Sequence, residues 1–337
     1  MNYEMIGITA LWTFLYGYVI IASIDFGAGF FNFYAKITGV SNIITPIITR
    51  YLNPVWEVTN VFFVFFFVGI VGFYPETAYY YGTTLLIPAS IALVLLAIRG
   101  SYYAFNQYGQ QSNIVWAFLY GGTGLFIPAA LSMTLVISEG GYITETSTGI
   151  DLNLSELFFS QYAWSVVFLA VISVLYISSA FLVFYAHRAR AEEALKLIRT
   201  WFLTWTLPML VISQFVFLGL RTHNEEHFMN AQNYWYLFAL SLVFMGVAVY
   251  LIFKKKRYGF AFIMVMLQFL TAFFGYGISK LPYILYPYVR IESVVNESMA
   301  FWLTLVFVLG LLLLIPSLIM LMRMFLFDKD YVQGKGD

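Results

Sequence analysis

Residues 17–35 read GYVIIASIDFGAGFFNFYA. Asp25 is the only charged residue of this stretch, which lies inside a longer apolar run near 6–34. About 20 such residues make a helix long enough to cross a bilayer. A carboxylate within a run of this kind is costly in lipid, so it is expected to turn toward a bundle interior or a water path. Eight more runs of similar character follow, near 54–74, 79–98, 113–137, 158–186, 200–220, 229–252, 258–279 and 299–325. The reading is an all-α integral membrane chain with about nine transmembrane helices. The first run is not read as a cleaved leader, because no Lys or Arg precedes it and it is too long for a signal core.

Composition agrees with that reading. Of 337 residues 61% are hydrophobic and 10% charged, against roughly 25% charged in a soluble domain. The 17 basic and 17 acidic residues cancel, which leaves no cationic excess for nucleic acid. With no Cys there is no disulfide, thiolate metal site or thiol nucleophile. No nucleotide-binding glycine pattern or nucleophile triad is present.

Basic residues alternate across the connections. One side holds the N-terminus and the segments after the second, fourth, sixth and eighth runs, with only Arg221, Lys280 and Arg290. The other side carries the remaining 14, among them Arg188, Arg190, Lys196 and Arg199, and Lys254 to Arg257. Positive residues mark the cytoplasmic side, so the N-terminus is expected outside and the C-terminus in the cytoplasm. The 138–157 connection, with Glu139, Glu145, Asp151 and Glu156 and no basic residue, reads as an external loop.

A faint repeat divides the chain. Phe33-Tyr34-Ala35 recurs as Phe184-Tyr185-Ala186, and Arg50-x5-Trp56 as Arg199-x5-Trp205, at offsets of 151 and 149. The expectation is two four-helix bundles of similar topology plus one extra helix. Residues 1–137 form the first half, 138–157 the loop, 158–280 the second half, and 281–337 a loop, the ninth helix and a tail. The repeat sets Asp25 opposite Tyr176 and Glu57 opposite Thr206, so only the first half keeps its acids.

Candidate chemistry gathers on that half. Tyr18, Asp25 and Asn32 are spaced by seven and share a helix face, flanked by small residues. The functional reading of Asp25 is a proton carrier; the plain one is packing glue between helices. In Asn53-Pro54-Val55-Trp56-Glu57, Asn53 reads as an N-cap and Pro54 as the first helical residue. Glu57 then sits in a first turn favourable to anions, or with Asp25 makes a short relay toward the cytoplasm. Arg99-Gly100 reads as a cytoplasmic anchor, with a pairing to Glu57 as the alternative. Gln214 and Gln268 read as interhelical hydrogen-bonding groups. No His falls in mid-span, which argues against a haem held by this chain. His223-x3-His227 reads as a solvated external segment rather than a metal site.

Taken together, these motifs resemble the second subunit of the cytochrome bd-type quinol oxidases. The resemblance rests on Asp25-Phe26-Gly27-Ala28-Gly29, on Pro54-Val55-Trp56-Glu57 with Asn60, on Phe73-Tyr74-Pro75, on Arg99-Gly100 and on Leu285-Tyr286-Pro287. Val58, Val61 and the run Tyr103-Ala104-Phe105-Asn106 depart from the polar groups common in the family, so roles attached to those groups do not carry over. The resemblance implies a bacterial cytoplasmic membrane protein without haem ligands of its own. It implies an obligate haem-bearing subunit I with two haem b and one haem d, a quinol substrate, and in some complexes a small single-span third subunit. Asp25 and Glu57 then stand on a cytoplasmic proton path, supported by Tyr18, Asn32, Asn60 and Arg99, with Gly27, Gly29, Pro54, Trp56 and Gly100 as structural positions. The alternatives are a scaffold subunit in the same complex, or a stand-alone proton-coupled secondary transporter.

Overall fold

The computed structural model describes residues 3–108, 114–147, 149–293 and 297–325; within these, the side chains of residues 50–58 and 103–108 and of a few terminal positions lie outside the description. The chain is almost wholly helical. It runs α1 (Tyr3–Ile37), α2 (Ser41–Phe73), α3 (Glu76–Thr84), α4 (Leu86–Tyr108) and α5 (Ile114–Ser138). A hairpin of β1 (Ile143–Thr146) and β2 (Gly149–Leu152) and the short α6 (Leu154–Phe159) lead into α7 (Gln161–Arg188), α8 (Glu192–His223), α9 (Glu225–Asn233), α10 (Trp235–Phe253) and α11 (Tyr258–Lys280). A second small hairpin, β3 (Tyr283–Leu285) and β4 (Val289–Arg290), precedes α12 (Glu297–Phe325).

Among the described residues seven helices are long and apolar enough to cross a membrane, and α3 with α4 makes an eighth if that pair, bent by 73°, is one span. The break falls at Leu85, whose amide still bonds back to the Tyr81 carbonyl. The expected run at 229–252 is likewise divided. Residues 225–233 form the separate α9, and α10 begins at Trp235. Asn224 caps α9 by accepting from the His227 amide, so α9 starts in the connection before that run and ends within it, at Asn233.

The start expected at Asn53 is also corrected: α2 begins at Ser41 and continues through 50–58 to Phe73. Ile44, Ile47 and Ile48 at its beginning are buried in the central core. That burial outweighs the local Asn-Pro start signal. Glu57 therefore lies well inside α2, not in a first turn, and the dipole argument for it falls.

Helix α7 is the axis of the molecule, with 72% of its apolar window buried, against 6% for α12. Its small residues Ser173, Ser178, Ser179, Ala180 and Ala186 let neighbours approach closely, as suits helices that gain little from a hydrophobic drive in lipid. Helix α1 packs against α2, α5 and α7; α7 packs against α8 and α11; α4 lies on α5 and α10 on α11. Arg199 of α8 donates to the Ile252 and Phe253 carbonyls that close α10, where a cation meets the negative end of a helix.

The 138–157 segment is not an open loop. Gly140 and Gly141 turn the chain at φ +80° and +78°, a conformation that suits glycine. A Cβ on Gly140 would fall 2.5 Å from the Tyr286 carbonyl oxygen, so the turn also needs the missing side chain for close packing on the second hairpin.

Candidate functional site

Asp25 is completely buried on α1, and the fully buried Arg99 of α4 reaches it. Arg99 Nε donates to Asp25 Oδ2 at 3.0 Å, Nη2 to the Asp25 carbonyl at 2.7 Å, and Nη1 to the Tyr120 carbonyl of α5 at 2.9 Å. The guanidinium lies over the Tyr120 ring at 4.1 Å and near the Phe26 ring at 5.1 Å. One side chain thus ties three helices. The Tyr120 hydroxyl lies 3.4 Å from Asp25 Oδ1, a weak contact beside the charged one. The anchor expected at Arg99 is corrected, because a planar fork held between carbonyls and aromatic faces favours burial with a carboxylate over snorkelling to the surface.

The glycines quoted with Asp25 make the room. A Cβ on Gly29 would stand 3.0 Å from both Arg99 Nη1 and the Tyr120 carbonyl. One on Gly27 would stand 2.4 Å from Ser178 Cβ and 2.7 Å from the Val174 carbonyl of α7. Gly124 of α5 meets the Phe26 carbonyl, where a Cβ would be 2.2 Å away. Helix α1 is therefore gripped on two sides by close backbone contacts.

The other expected residues have separate partners. Tyr18 is buried one turn-pair from Asp25, its ring 5.3 Å from Phe63. Asn32 is buried but accepts from Thr45 of α2 at 2.8 Å. Asn60 and Gly100 are half-buried. The side chains of Pro54, Trp56 and Glu57 lie outside the described residues, and with them the Asp25–Glu57 relay. Gln268 accepts from Tyr176 at 3.0 Å in the second half, whereas Gln214 is exposed on α8.

A second buried charge, at the other end of the bundle, was not anticipated. Glu139, just past α5, is 2% exposed. Its Oε1 lies 3.1 Å from Lys280 Nζ and accepts from the Tyr276 hydroxyl. Its Oε2 lies 2.9 Å from His227 Nδ1 and 3.1 Å from Asn224 Nδ2. His227 Nε2 meets Ser279 Oγ at 2.9 Å, and Lys280 also donates to Ser138 Oγ. Burial alone raises the Glu139 carboxyl. Lys280, then His227 and Tyr276, more than offset this and hold it well below the usual carboxylate range.

The expectation of a solvated 223–227 segment is thus corrected. His227 is buried, and His223 stacks on Tyr142 and Tyr162 while its Nε2 meets the Gly140 carbonyl at 3.0 Å. The signal in the sequence was that Glu139 and Lys280, of opposite sign, each end an apolar run directly. His187, the third imidazole, packs edge-on against Tyr258. Among the described residues no group of three or more His, Asp or Glu could hold a metal ion.

Between the two charged sites lies a cavity of about 400 Å³. Tyr18, Ser23 and Phe26 line it near Asp25, and Ser138, Tyr276 and Lys280 near Glu139.

The profile of the family described as cytochrome bd terminal oxidase subunit II matches residues 3–325. A Bacillus subtilis (strain 168) protein described as a cytochrome bd menaquinol oxidase subunit II is 29% identical over 344 residues, covering 98% of this chain and 97% of its own. A chain in the structure of the bd oxidase from Geobacillus thermodenitrificans is 52% identical and superposes with a TM-score of 0.86, covering 97% of this chain and 100% of its own. A match over almost the whole length, with buried charges inside an apolar bundle, establishes that this chain belongs to the cytochrome bd terminal oxidase subunit II family, a component of a respiratory quinol oxidase.

Proposed function

We propose that this chain pairs with a haem-bearing subunit I, stabilises it, and supplies a cytoplasmic proton-uptake route for the reduction of oxygen to water. The quinol is read as menaquinol, following the description of the Bacillus subtilis relative. The finer architecture belongs to the same reading. Nine spans counting α2, an outside N-terminus, a cytoplasmic C-terminus, and two four-helix halves with α12 added agree with the charge alternation and the helix pairings. All three imidazoles are engaged within the chain, so its residues do not fit a haem with a histidine axial ligand. Two haem b and one haem d are accordingly assigned to the partner, together with the quinol site. A small third subunit stays an additional partner of that complex.

The observation that carries the proton route is the burial of Asp25 within α1, toward the cytoplasmic end assigned by charge. Arg99 is the reason an anion is tolerable there. It has two backbone carbonyls and two aromatic faces besides the carboxylate, so a proton arriving on Asp25 leaves the guanidinium still engaged. Tyr18 and Asn32 lie one heptad to either side, and Glu57 with Asn60 on α2 extends the reading toward the cytoplasm.

A scaffold role is the second reading, favoured by the way Arg99 staples α1, α4 and α5. Replacing Asp25 by Asn in the assembled oxidase separates the two. Loss of proton uptake and oxygen consumption with intact haem spectra supports the route. Unchanged rates would leave the pair as a staple. The transporter alternative gains no support from the family match.

A further inference from the structure

The outer end of the cavity and the Glu139 network are built from the same side chains. Ser138, Tyr276 and Lys280 line the cavity and also bond to one another or to Glu139. Tyr162 lines it too, and its hydroxyl lies 3.3 Å from that of Tyr276. Beside this end lie the nine-residue α9, the Gly140-Gly141 turn and the β3–β4 hairpin; the hairpin lines the cavity through Tyr283 and Ile284, and the Tyr286 amide between its strands bonds to the Ser138 carbonyl at 2.9 Å. Helix α9 reaches Glu139 through Asn224 and His227, and α11 reaches it through Tyr276 and Lys280.

We propose that the Glu139 carboxylate is the latch of a gate: its charge draws α9 and the end of α11 onto the end of α5 and shuts the cavity off from the aqueous phase at this end. Side chains of α9 and α11 converge on this one anion, and without it a buried ammonium and an imidazole face each other across the seam. Removing one member of such a buried set leaves the rest uncompensated. The groups facing Glu139 are otherwise basic or phenolic. Lys280 and Tyr276 come from α11, His227 from α9 and Tyr162 from α7. Tyr142 and His223 pack behind them, and Tyr81 of α3 approaches through Ser138. Glu226, on α9, turns instead to Tyr286. Phenols are neutral at working pH, so Glu139 carries the negative charge that binds the seam.

The absence of Cys from this chain makes the gate measurable. Ser132, on the cavity wall and 7% exposed, is changed to Cys in the assembled oxidase held in lipid nanodiscs. Its reaction with a charged, membrane-impermeant methanethiosulfonate is followed by the mass of this subunit at neutral pH. With Glu139 intact the thiol is expected to react slowly; with Glu139→Gln, which keeps the shape and removes the charge, about 10-fold faster or more, as for a local opening. Equal rates in the two backgrounds would overturn the gate. If the Gln variant fails to assemble, His227→Gln, which removes one of the two α9 contacts to Glu139 but keeps the Glu139–Lys280 pair, is expected to raise the rate several-fold; an unchanged rate there would also overturn it.

Discussion

Asp25 has a guanidinium as its charged partner and a phenol at longer range, whereas Glu139 meets an ammonium, an imidazole, an amide and a phenol. At the inner site the cation is self-sufficient, because Arg99 keeps two carbonyls and two ring faces whatever Asp25 does. At the Glu139 site the anion is the hub, with spokes from α9 and its cap and from α11. The difference teaches where charge can change cheaply. Losing Asp25 leaves one buried cation uncompensated, although its carbonyl and ring contacts remain; losing Glu139 strands an ammonium together with the imidazole, amide and phenol that share it.

The largest effect tests that contrast directly. Glu139→Ala is expected to cost about 3–5 kcal/mol, the usual penalty for breaking a buried ionic set, read as a lowered unfolding midpoint of the oxidase complex. Asp25→Asn should cost clearly less, because Arg99 stays engaged. The reverse ranking would break the comparison. Arg99→Met comes next, at about 3 kcal/mol, since it removes the fork that joins three helices; its midpoint should fall between those two variants.

The inner site was largely legible in the sequence, and the outer one was not. Asp25 declares itself as a charge within an apolar run, and the glycines beside it announce close packing. Its partner was missed because Arg99 ends its run near aromatic residues, the usual place for an interfacial anchor. Glu139, Asn224, His227 and Lys280 lie in four connections or helix ends up to about 140 residues apart, with no period to link them. The spans could be read because hydrophobic length is a local property. The breaks at Leu85 and Tyr234 could not, because each interrupts an apolar run without a charge or a Gly-Pro pair to mark it. The early start of α2 was hidden for a related reason: Asn53-Pro54 looks like a beginning until the burial of Ile44, Ile47 and Ile48 is known.

Three smaller effects sharpen the comparison. Gly29→Ala places a methyl against Arg99 and the Tyr120 carbonyl, and about 1–3 kcal/mol of overpacking is expected. The same change at the open Gly246 should cost less, by parallel midpoint measurements. On acidification, Glu139 has a folded carboxyl held below its ordinary value of 4.5. Its contribution to stability is therefore complete above that value and drains away as the pH falls further below it. Hydrogen exchange at 224–233 should accordingly be flat from neutral to mildly acidic pH and rise below. A rise already near neutrality would contradict the depressed carboxyl. Tyr120→Phe is the smallest, at about 0.5–1 kcal/mol or less for a long hydrogen bond, and it should leave the guanidinium contacts intact.

The close approaches of Gly27 to α7 and of Gly124 to α1 have a mechanical consequence. Backbone pressed on backbone from opposite sides leaves the first helix no slack to slide or swivel, so it behaves as a fixed post and not as a piston. On the route proposed above, a proton reaching its carboxylate would be handed on by rotation of light groups alone.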